Sequence, residues 1–323
     1  MREWQAQAVS MIEFENVTRL YGRVMGVNDI SVSLPSGAWG LLGPNGAGKS
    51  TFLNLLMGQL RPTRGKVKVL GSNPRNNPEL MRRIGYCPGF EGMYAGVAGL
   101  EWVAFLLRMQ GYAGQRARQR AAEVMETVGM SDAMLRPISS YSRGMRQRTR
   151  LAQAISHEPE LLILDEPFSG LDPVGRAAMT ELLRNFMTAG RSIIVASHLL
   201  HEIEALTQSF LLISGGRLLA SGTAEEVHEL LFDVPMEIHI RSSSPRRLGA
   251  VLLERELVDS VRMGRSAAGE EVLILSTRHT GELSRILPQL VTEQGVRIFE
   301  LKTADDSLQS LFSSLMKIHR GEM

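Results

Sequence analysis

Cysteine, long apolar runs and strong net charge are all scarce in this chain of 323 residues. Its single cysteine, Cys87, excludes an internal disulfide and a metal site built from several cysteines, and we expect a small buried side chain there. No apolar stretch reaches the roughly 18 residues that a transmembrane helix needs. The net charge of +2 gives no support for nucleic-acid binding, which usually requires a clustered basic face. These absences point away from disulfide-bonded, membrane-spanning and nucleic-acid-binding proteins.

The composition is that of an ordinary globular protein, with 44% hydrophobic and 22% charged residues. A chain of this length can form two domains, each with its own core. Residues 1–8 are too polar for a signal peptide, so we expect a cytoplasmic location. The first strand pattern begins only at Met11, which could be the true start. Mass spectrometry of the native protein showing residue 1 retained would exclude that hypothesis.

A glycine-rich stretch lies between a short apolar run at residues 40–42 and an apolar helical pattern at residues 51–57. A phosphate-binding loop requires this position between a buried strand and an amphipathic helix. Glycines let the backbone N–H groups point inward, the helix N-terminus adds partial positive charge, Lys49 supplies a point charge, and Ser50 can ligate Mg²⁺. The complete pattern argues against a purely structural glycine turn. The loop comprises Gly43, Pro44, Asn45, Gly46, Ala47, Gly48, Lys49, Ser50 and Thr51.

Polar groups also follow two later apolar strands. Residues 161–164 are continuously apolar and end at Asp165 and Glu166, adjacent carboxylates that need a cationic partner when buried. We assign Asp165 to Mg²⁺ and Glu166 to the attacking water of a phosphoryl transfer. Residues 192–197 repeat the pattern and lead to His198, for which we predict a γ-phosphate contact at the same sheet edge. Helix capping is the alternative for either acid, and a structural role is the alternative for the histidine.

Two other segments complete the first two thirds of the chain. Tyr21 precedes the phosphate loop and could stack on a nucleotide base, with packing as an equal alternative. Residues 99–137 have a helical period, which predicts an inserted helical subdomain. Its apolar faces comprise Trp102, Phe105, Leu106 and Met109 on one side, and Ala121, Val124, Met125 and Val128 on the other.

In this order, the motifs resemble those of the ATP-binding subunits of ABC transporters, over residues 12–229. The matching segments are the Walker A loop at 43–51, a signature-like segment at 141–148, the Walker B strand at 161–166, the D-loop at 169–172 and the switch histidine, His198. The resemblance implies a P-loop NTPase of the α/β class that binds ATP with Mg²⁺. It also implies an ABC ATP-binding domain at about 11–232 and a helical subdomain at about 90–157.

In that family two nucleotide-binding domains pack head to tail and hold each ATP between them. The resemblance therefore implies that Ser142 and Gly144 contact the γ-phosphate of the partner's ATP, although Ser142 could equally be a plain helix N-cap. Since the chain carries one set of motifs, it needs a second copy or a homologous ATPase subunit. Its Y-S-x-G-M signature resembles that of export-type subunits paired with separate ABC-2 type permeases. This implies a peripheral position on the cytoplasmic face of the cell membrane.

Gly89 departs from the family pattern, which has a glutamine here to touch Mg²⁺ and report to the membrane subunit. We expect Glu91 or water to complete the metal shell, with slower catalysis or altered coupling. The glycine also suggests an alternative, a nucleotide sensor that does not hydrolyse ATP. A further alternative is a soluble ABC-type ATPase acting on ribosomes or DNA. The chain lacks the second cassette and the long coiled coil typical of such proteins.

Residues 233–323 form a second, accessory domain in this interpretation. The pattern gives the order β-α-β-β-α-β of a small ferredoxin-like α+β module, followed by a final helix at 307–318. The expected strands lie at 236–240, 258–263, 272–276 and 296–301, and the expected helices at 245–256 and 282–292. No constellation of ligands or nucleophiles occurs in this region. A regulatory or dimer-stabilising role and plain packing are therefore equal alternatives.

Overall fold

The protein divides into two compact units, Met1–Thr223 and Ala224–Met323, each with its own hydrophobic core. The computed structural model describes residues 10–90, 92–223, 226, 236–265, 271–278 and 280–303. None of the helices in these ranges combines the length and the apolar character needed to cross a bilayer.

The first unit alternates strands with helices. Its strands are β1 Ile12–Tyr21, β2 Val24–Leu34, β3 Ala38–Leu42, β4 Arg64–Val69, β5 Ile84–Cys87, β6 Leu161–Asp165, β7 Ser192–Ser197, β8 Ser209–Ser214 and β9 Arg217–Thr223. Its helices are α1 Lys49–Leu56, α2 Pro78–Met81, α3 Gly99–Met109, α4 Gly114–Thr127, α5 Arg143–Ile155, α6 Pro173–Thr188 and α7 Leu200–Glu204, with a 3-10 turn at Ile138–Ser140.

A six-stranded sheet in the order β5-β6-β7-β3-β8-β9 forms the centre of this unit. All its neighbouring strands are parallel except β8 and β9, which form an antiparallel hairpin at one edge. The strands β6 and β7 are almost wholly buried, as expected for central parallel strands. The register pairs Leu42 with Ser197 and Asp165 with Ala196. The carboxyl ends of β3, β6 and β7 therefore meet at one sheet edge, as the sequence predicts.

A smaller antiparallel sheet, β2-β1-β4, lies beside α1. The rings of Phe14 and Phe52 stack with their centroids 4.3 Å apart and join this sheet to the helix. The second strand begins at Val24, although regular alternation of apolar and polar residues is found only in its last part, residues 30–34. Register shifts along the β1–β2 pair interrupt the alternation, so periodicity alone misses the first half of the strand.

The helices α3, α4 and α5 follow β5 and precede β6 in the sequence, and they pack against one another. The predicted stripe on α4 is correct, because Ala121, Val124, Met125 and Val128 are buried. The predicted stripe on α3 is wrong for Phe105 and Met109, which are 42% and 73% exposed. An adjacent stripe packs instead, consisting of Leu100, Trp102, Val103 and Leu107. Since α3 is apolar around most of its circumference, the sequence does not distinguish the two stripes.

The second unit has the predicted element order β-α-β-β-α-β. Its elements are β10 Met236–Ser242, α8 Pro245–Glu254, β11 Ser260–Arg265, β12 Glu271–Thr277, α9 Thr280–Gln294 and β13 Ile298–Thr303. The strands form an antiparallel sheet in the order β11-β12-β10-β13, and a core of leucine, isoleucine and valine side chains packs between sheet and helices. The predicted final helix at 307–318 lies outside the described residues.

Candidate functional site

The phosphate loop connects β3 to α1 and has the left-handed backbone that glycine allows. Gly46 and Gly48 have φ angles of 79° and 109°. A Cβ atom on Gly48 would lie 2.4 Å from the carbonyl oxygen of Gly26, so no larger residue fits there without moving the main chain. At the other end, a Cβ atom on Gly43 would lie 2.2 Å from the carbonyl oxygen of Ile213. The loop is thus wedged between the backbones of β2 and β8.

A cleft of about 520 Å³ opens above this loop. Its lining consists of Tyr21, Val24, Met25, Gly26, Pro44, Asn45, Gly46, Ala47, Gly48, Lys49, Ser50, Thr51, Gly89, Phe90, Asp165 and Glu166. The structure therefore brings Tyr21, most of the loop and both acids together. Val24, Met25, Gly26 and Phe90 line the cleft but belong to none of the predicted motifs. No local signal marks them, because the pairing of β1 with β2 brings the first three there.

Lys49 is buried at the start of α1, with 7% of its surface exposed. Its Nζ donates hydrogen bonds to the carbonyl oxygens of Gly43 and Pro44 at 2.7 and 3.3 Å, and it lies 4.0 Å from Oε1 of Glu166. Burial lowers the pKa of Lys49, while the charges of Glu166 and Asp165 oppose that shift. A cation held on neutral carbonyls can exchange them for stronger anionic acceptors such as phosphate oxygens.

Ser50 and Asp165 present two oxygens to the same point, since Ser50 Oγ lies 3.5 Å from Oδ2 of Asp165. Burial raises the pKa of Asp165, and the neighbouring charge of Glu166 raises it further. A bound cation would relieve both effects. Mg²⁺ prefers oxygen ligands at about 2.1 Å and retains several waters, so two protein oxygens at this separation suit it. The residues present thus fit a magnesium site completed by water and phosphate.

Glu166 follows β6 in a left-handed conformation, with φ of 49°, which is uncommon outside glycine. Its backbone N–H donates to the carbonyl oxygen of Ala196 at 2.9 Å, which fixes it beside β7. Nδ1 of His198 lies 3.0 Å from both carboxylate oxygens of Glu166. His198 is not among the residues that line the cleft, and its described contact with the site is through Glu166. Its ring orients that carboxylate through Nδ1.

A buried pair supports the turn that carries His198. Ser197 Oγ donates to Oε2 of Glu202 at 2.6 Å and accepts from the backbone N–H of Leu199 at 3.0 Å. Both side chains are buried, with 0% and 6% exposure for Ser197 and Glu202. The sequence pattern at 192–198 did not indicate Glu202, which acts one helical turn further on. Together these bonds fix the backbone on either side of the histidine.

Tyr21 lies at the mouth of the cleft and is 42% exposed. Its hydroxyl lies 3.4 Å from Oγ1 of Thr51, and the guanidinium carbon of Arg19 lies 5.0 Å from the ring centroid. The hydroxyl is thus anchored to α1 and the ring is held by a cation–π contact. An aromatic ring held in this way at a cleft mouth can receive a flat heterocycle.

The signature residues lie elsewhere. Ser142 is the N-cap of α5, and its Oγ accepts from the backbone N–H of Met145 at 3.2 Å, so the N-cap interpretation is confirmed. Ser142 and Gly144 line a second cleft of about 420 Å³, together with Arg143, Met145, Arg148, Gly170, Leu171, Asp172 and Gly175. This cleft shares no residue with the first. Within one chain, the structure therefore does not bring Ser142 and Gly144 to the phosphate loop.

Gly89 borders the acids of the first cleft. A Cβ atom there would lie 3.3 Å from the carbonyl oxygen of Asp165 and 3.4 Å from its Oδ2, so a side chain would be directed at the metal carboxylate. The backbone conformation of Gly89 is one that other residues can adopt. Glu91, the predicted replacement ligand, lies outside the described residues.

Comparison with known proteins agrees with this geometry. The profile of the ABC transporter family matches residues 27–169. The daunorubicin/doxorubicin resistance ATP-binding protein DrrA of Streptomyces peucetius is 34% identical over 78% of this chain and 77% of its own. The bacitracin transport ATP-binding protein BcrA of Bacillus licheniformis is 30% identical over 95% of this chain and 97% of its own.

The fold is shared with solved ABC cassettes. The dimeric structure of the ABC transporter cassette MJ0796 superposes with a TM-score of 0.61 at 22% identity, covering 66% of this chain and 98% of that one. The sheet edge with its phosphate loop is therefore that of a P-loop NTPase. The two relatives described above are at least 30% identical in sequence to this chain, and both are named as ATP-binding proteins. The chain accordingly belongs to the ATP-binding subunits of ABC transporters, enzymes that bind and hydrolyse ATP.

Proposed function

We propose that this subunit works as a dimer, with each ATP held between the phosphate loop of one copy and the signature segment of the other, and drives export through a separate ABC-2 type permease. The observation that carries the proposal is the separation of the two clefts. Lys49 and Glu166 line one, Ser142 and Gly144 line the other, and they share no residue. A second ATPase subunit, identical or homologous, supplies the missing half of each site.

In the first cleft, the loop and Lys49 bind the β- and γ-phosphates. The backbone N–H groups of residues 43–51 at the start of α1 face the anion, as in other helix N-termini. Lys49 exchanges its bonds to the carbonyls of Gly43 and Pro44 for bonds to phosphate oxygens. Its ammonium then neutralises charge that develops during transfer. Because Lys49 is buried, its interactions with phosphate oxygens are stronger than in bulk solvent.

Ser50 and Asp165 would hold Mg²⁺, which supplies charge neutralisation across the β- and γ-phosphates when bound. Asp165 must be ionised for this role. Burial and the charge of Glu166 raise its pKa, and a cation beside it would favour the ionised form. The proximity of the Ser50 and Asp165 oxygens supports their assignment to one ion. Water completes the remaining positions, since Gly89 offers no side chain.

Glu166 orients the attacking water and accepts its proton. The left-handed backbone at Glu166 and the contact with His198 fix the carboxylate at the end of β6, next to Lys49. His198 uses Nδ1 for Glu166, which leaves Nε2 for a γ-phosphate oxygen. His198 therefore has two roles in this proposal, orienting Glu166 and steadying the γ-phosphate.

Tyr21 stacks on the adenine, and the hydroxyl contact with Thr51 holds the ring at the height of the loop. The partner subunit's signature segment closes over the opposite side of the nucleotide. There, the hydroxyl of Ser142 and the backbone N–H groups near Gly144 at the N-terminus of α5 contact the γ-phosphate. ATP binding then joins the two subunits, and hydrolysis separates them.

The permease would bind a methionine-rich groove in the first unit. The groove encloses about 410 Å³, and its apolar lining includes Met57, Met81, Leu106 and Met109. Met109 is 73% exposed, and the neighbouring Phe105 is 42% exposed. Exposed apolar side chains that group together mark interaction surfaces, and methionine adapts to varied partners. Binding there would place the subunit at the cytoplasmic face of the membrane.

The proposal of export is supported by likeness to relatives named for drug resistance and for bacitracin transport. The permease type rests on the Y-S-x-G-M form of the signature segment. In this proposal residues 11–232 are the ATP-binding domain, residues 90–157 its helical part, and residues 233–323 an accessory domain. Affinity purification of the chain from its native membranes tests the partner. We expect an ABC-2 type membrane protein with wild-type chain and its loss with Met109→Glu, while ATPase activity stays unchanged. Retention of the same partner by that variant would contradict the assignment of the groove.

A further inference from the structure

A buried arginine in the middle of α5 has no role in the mechanism above. Arg150 is 6% exposed. Within the described part of the chain, its hydrogen bonds go to three neutral oxygens, those of Pro88, Phe90 and Gln147, and its Nε has no partner. A buried cation balanced by neutral groups alone is costly. Packing stability therefore does not account for an arginine at this position.

The contacts of Arg150 converge on the chain segment 87–90. Its guanidinium donates to the carbonyl oxygens of Pro88 and Phe90, at 3.0 and 3.2 Å. It also donates to Oε1 of Gln147, whose Nε2 in turn lies 3.8 Å from Sγ of Cys87. Gln147 and Cys87 are fully buried. Three of the four residues 87–90, at and just after the end of β5, are thus held by side chains of α5.

That segment borders the phosphate cleft. Gly89 and Phe90 line the cleft, and a Cβ atom on Gly89 would lie 3.3 Å from the carbonyl oxygen of Asp165 and 3.4 Å from its Oδ2, so segment 88–90 is adjacent to Asp165. Residue 89 has no side chain that could contact α5. The contacts of Arg150 with this segment are instead made to the backbone carbonyls of Pro88 and Phe90, on either side of Gly89. Movement of Asp165 on binding of nucleotide and metal would therefore displace residues 88–90, which are hydrogen-bonded to Arg150.

The N-terminal end of α5 lines the second cleft, which contains Ser142 and Gly144. The helix begins after Ser142, and Arg150 lies about two turns further, or about 10 Å along the axis. A helix of this length transmits displacement as a rigid element. One helix thus touches the border of the first cleft through Arg150 and the floor of the second through Ser142.

We propose that Arg150 is a positioning residue that couples the two clefts of one subunit. It ties residues 88–90 to the signature helix, so that loading of nucleotide beside Asp165 sets the position of Ser142 and Gly144 for the partner's ATP. The inference rests on the proposed function, because it needs nucleotide in the first cleft and the partner's nucleotide at the second.

The test uses the full chain carrying Glu166→Gln, which slows hydrolysis, and follows dimer formation with ATP and Mg²⁺ by analytical ultracentrifugation. In that background Arg150→Met keeps an unbranched buried side chain and removes the donors. We expect the ATP concentration for half-maximal dimer to rise about fivefold or more. Binding of a fluorescent ATP analogue without Mg²⁺ should change less than about twofold, because Arg150 does not line the phosphate cleft. Dimer formation at the parent's ATP concentration would overturn the inference.

Two further variants separate coupling from folding. Arg120→Met removes an arginine of α4 that donates to the carbonyl oxygen of Ser156 and pairs with Glu123 and Glu158. It should lower the thermal midpoint without changing the ATP concentration for dimer formation. If Arg150→Met does not fold, Arg150→Lys decides: one ammonium lacks the fork that reaches both carbonyls, so we expect an intermediate shift. A folded lysine variant equal to the parent would overturn the inference.

The Glu166→Gln chain with Arg150 intact separates failure of the coupling role of Arg150 from failure of the proposed ATP-dependent dimer. If the Glu166→Gln chain with Arg150 intact forms no ATP-dependent dimer, the proposed function fails and the inference fails with it. If the parent forms a dimer and the Arg150 variants match it, the inference alone fails.

Discussion

The two units of this chain differ in where they place charge. Among the described residues, the buried charged side chains are Lys49, Arg150 and Glu202, all in the first unit. The buried polar side chains described in the second unit are the neutral Ser242 and Thr277. The ion pairs described there lie at the surface. In one of them, Arg246–Glu271, the side chains are 77% and 53% exposed.

The location of the buried charges indicates that the chemistry takes place in the first unit. Burying an ion costs several kcal/mol unless its partners compensate, so a fold keeps one mainly where it serves a function. Each buried ion of the first unit lies beside the phosphate cleft or supports a residue that does. Exposed pairs cost little and contribute little. We therefore expect substitutions to have large effects on ATP chemistry in the first unit and small effects in the second.

The largest effect should follow Lys49→Met. The substitution removes the buried cation that contacts the phosphates, so turnover should fall about 100-fold or more. ATP affinity should fall with it. Phosphate release and binding of a fluorescent ATP analogue measure the two. Lys68→Met is the matched control, since Lys68 pairs with Glu13 at the surface of β4. If Lys49→Met binds ATP as the parent does, the contrast between buried and exposed cations loses its basis.

Glu166→Gln should separate binding from chemistry. The amide keeps the size of the side chain but cannot accept the proton of water, so turnover should fall about 100- to 10,000-fold while ATP still binds. Single-turnover hydrolysis and equilibrium binding measure these separately. Glu160→Gln, at an exposed carboxylate paired with Arg83, is the control and should retain activity. Full activity in Glu166→Gln would remove that residue from the catalytic role.

Tyr21→Ala should have a smaller effect that depends on the base. Loss of one stacking contact costs about 1 to 3 kcal/mol, so ATP affinity should fall about tenfold or somewhat more. Affinity for inorganic tripolyphosphate should not change, because it has no base to stack. Tyr21→Phe should keep most of the ATP affinity. Equal loss for both ligands would show that the ring supports the loop and does not bind adenine.

The smallest effect should come from the second unit. Arg262→Gln breaks an exposed pair with Glu237, with donor and acceptor 2.7 Å apart and the arginine side chain 66% exposed. The free energy of unfolding should change by less than about 1 kcal/mol, and ATPase activity should not change. Urea unfolding and phosphate release provide the measurements. A large loss of turnover would show that the second unit contributes to the reaction, contrary to the contrast drawn between the two units.

Local patterns predicted the phosphate cleft because its parts lie at strand ends. Glycine spacing marks the loop, and apolar runs ending at Asp165 and His198 mark two other strands. The carboxyl ends of parallel strands share one edge, so the pattern implies their proximity. Residue type predicted the burial of Cys87, and apolar periodicity predicted the element order of the second unit.

Other features depend on contacts between distant segments. Arg150 belongs to a helix with four arginines, and only the approach of residues 88–90 decides that this one is buried. Val24 and Gly26 reach the cleft through a strand pair with register shifts, which hide the alternation. Met109 faces outward because α3 has more apolar residues than its packed face can bury. Periodicity gives the candidates in each case, and tertiary packing selects among them.

The central claim is that the signature segment of one subunit contacts the ATP held by its partner. Gly144→Asp tests this contact, because a Cβ atom there would lie 3.5 Å from Leu171 Cδ2 and 3.9 Å from Ser142 Oγ, both ordinary contacts, so the side chain fits the monomer. The variant is made in the Glu166→Gln chain and examined by analytical ultracentrifugation with ATP and Mg²⁺. Repulsion from the partner's γ-phosphate should abolish the ATP-dependent dimer while monomer ATP affinity stays unchanged. A dimer that forms at the parent's ATP concentration would contradict the account.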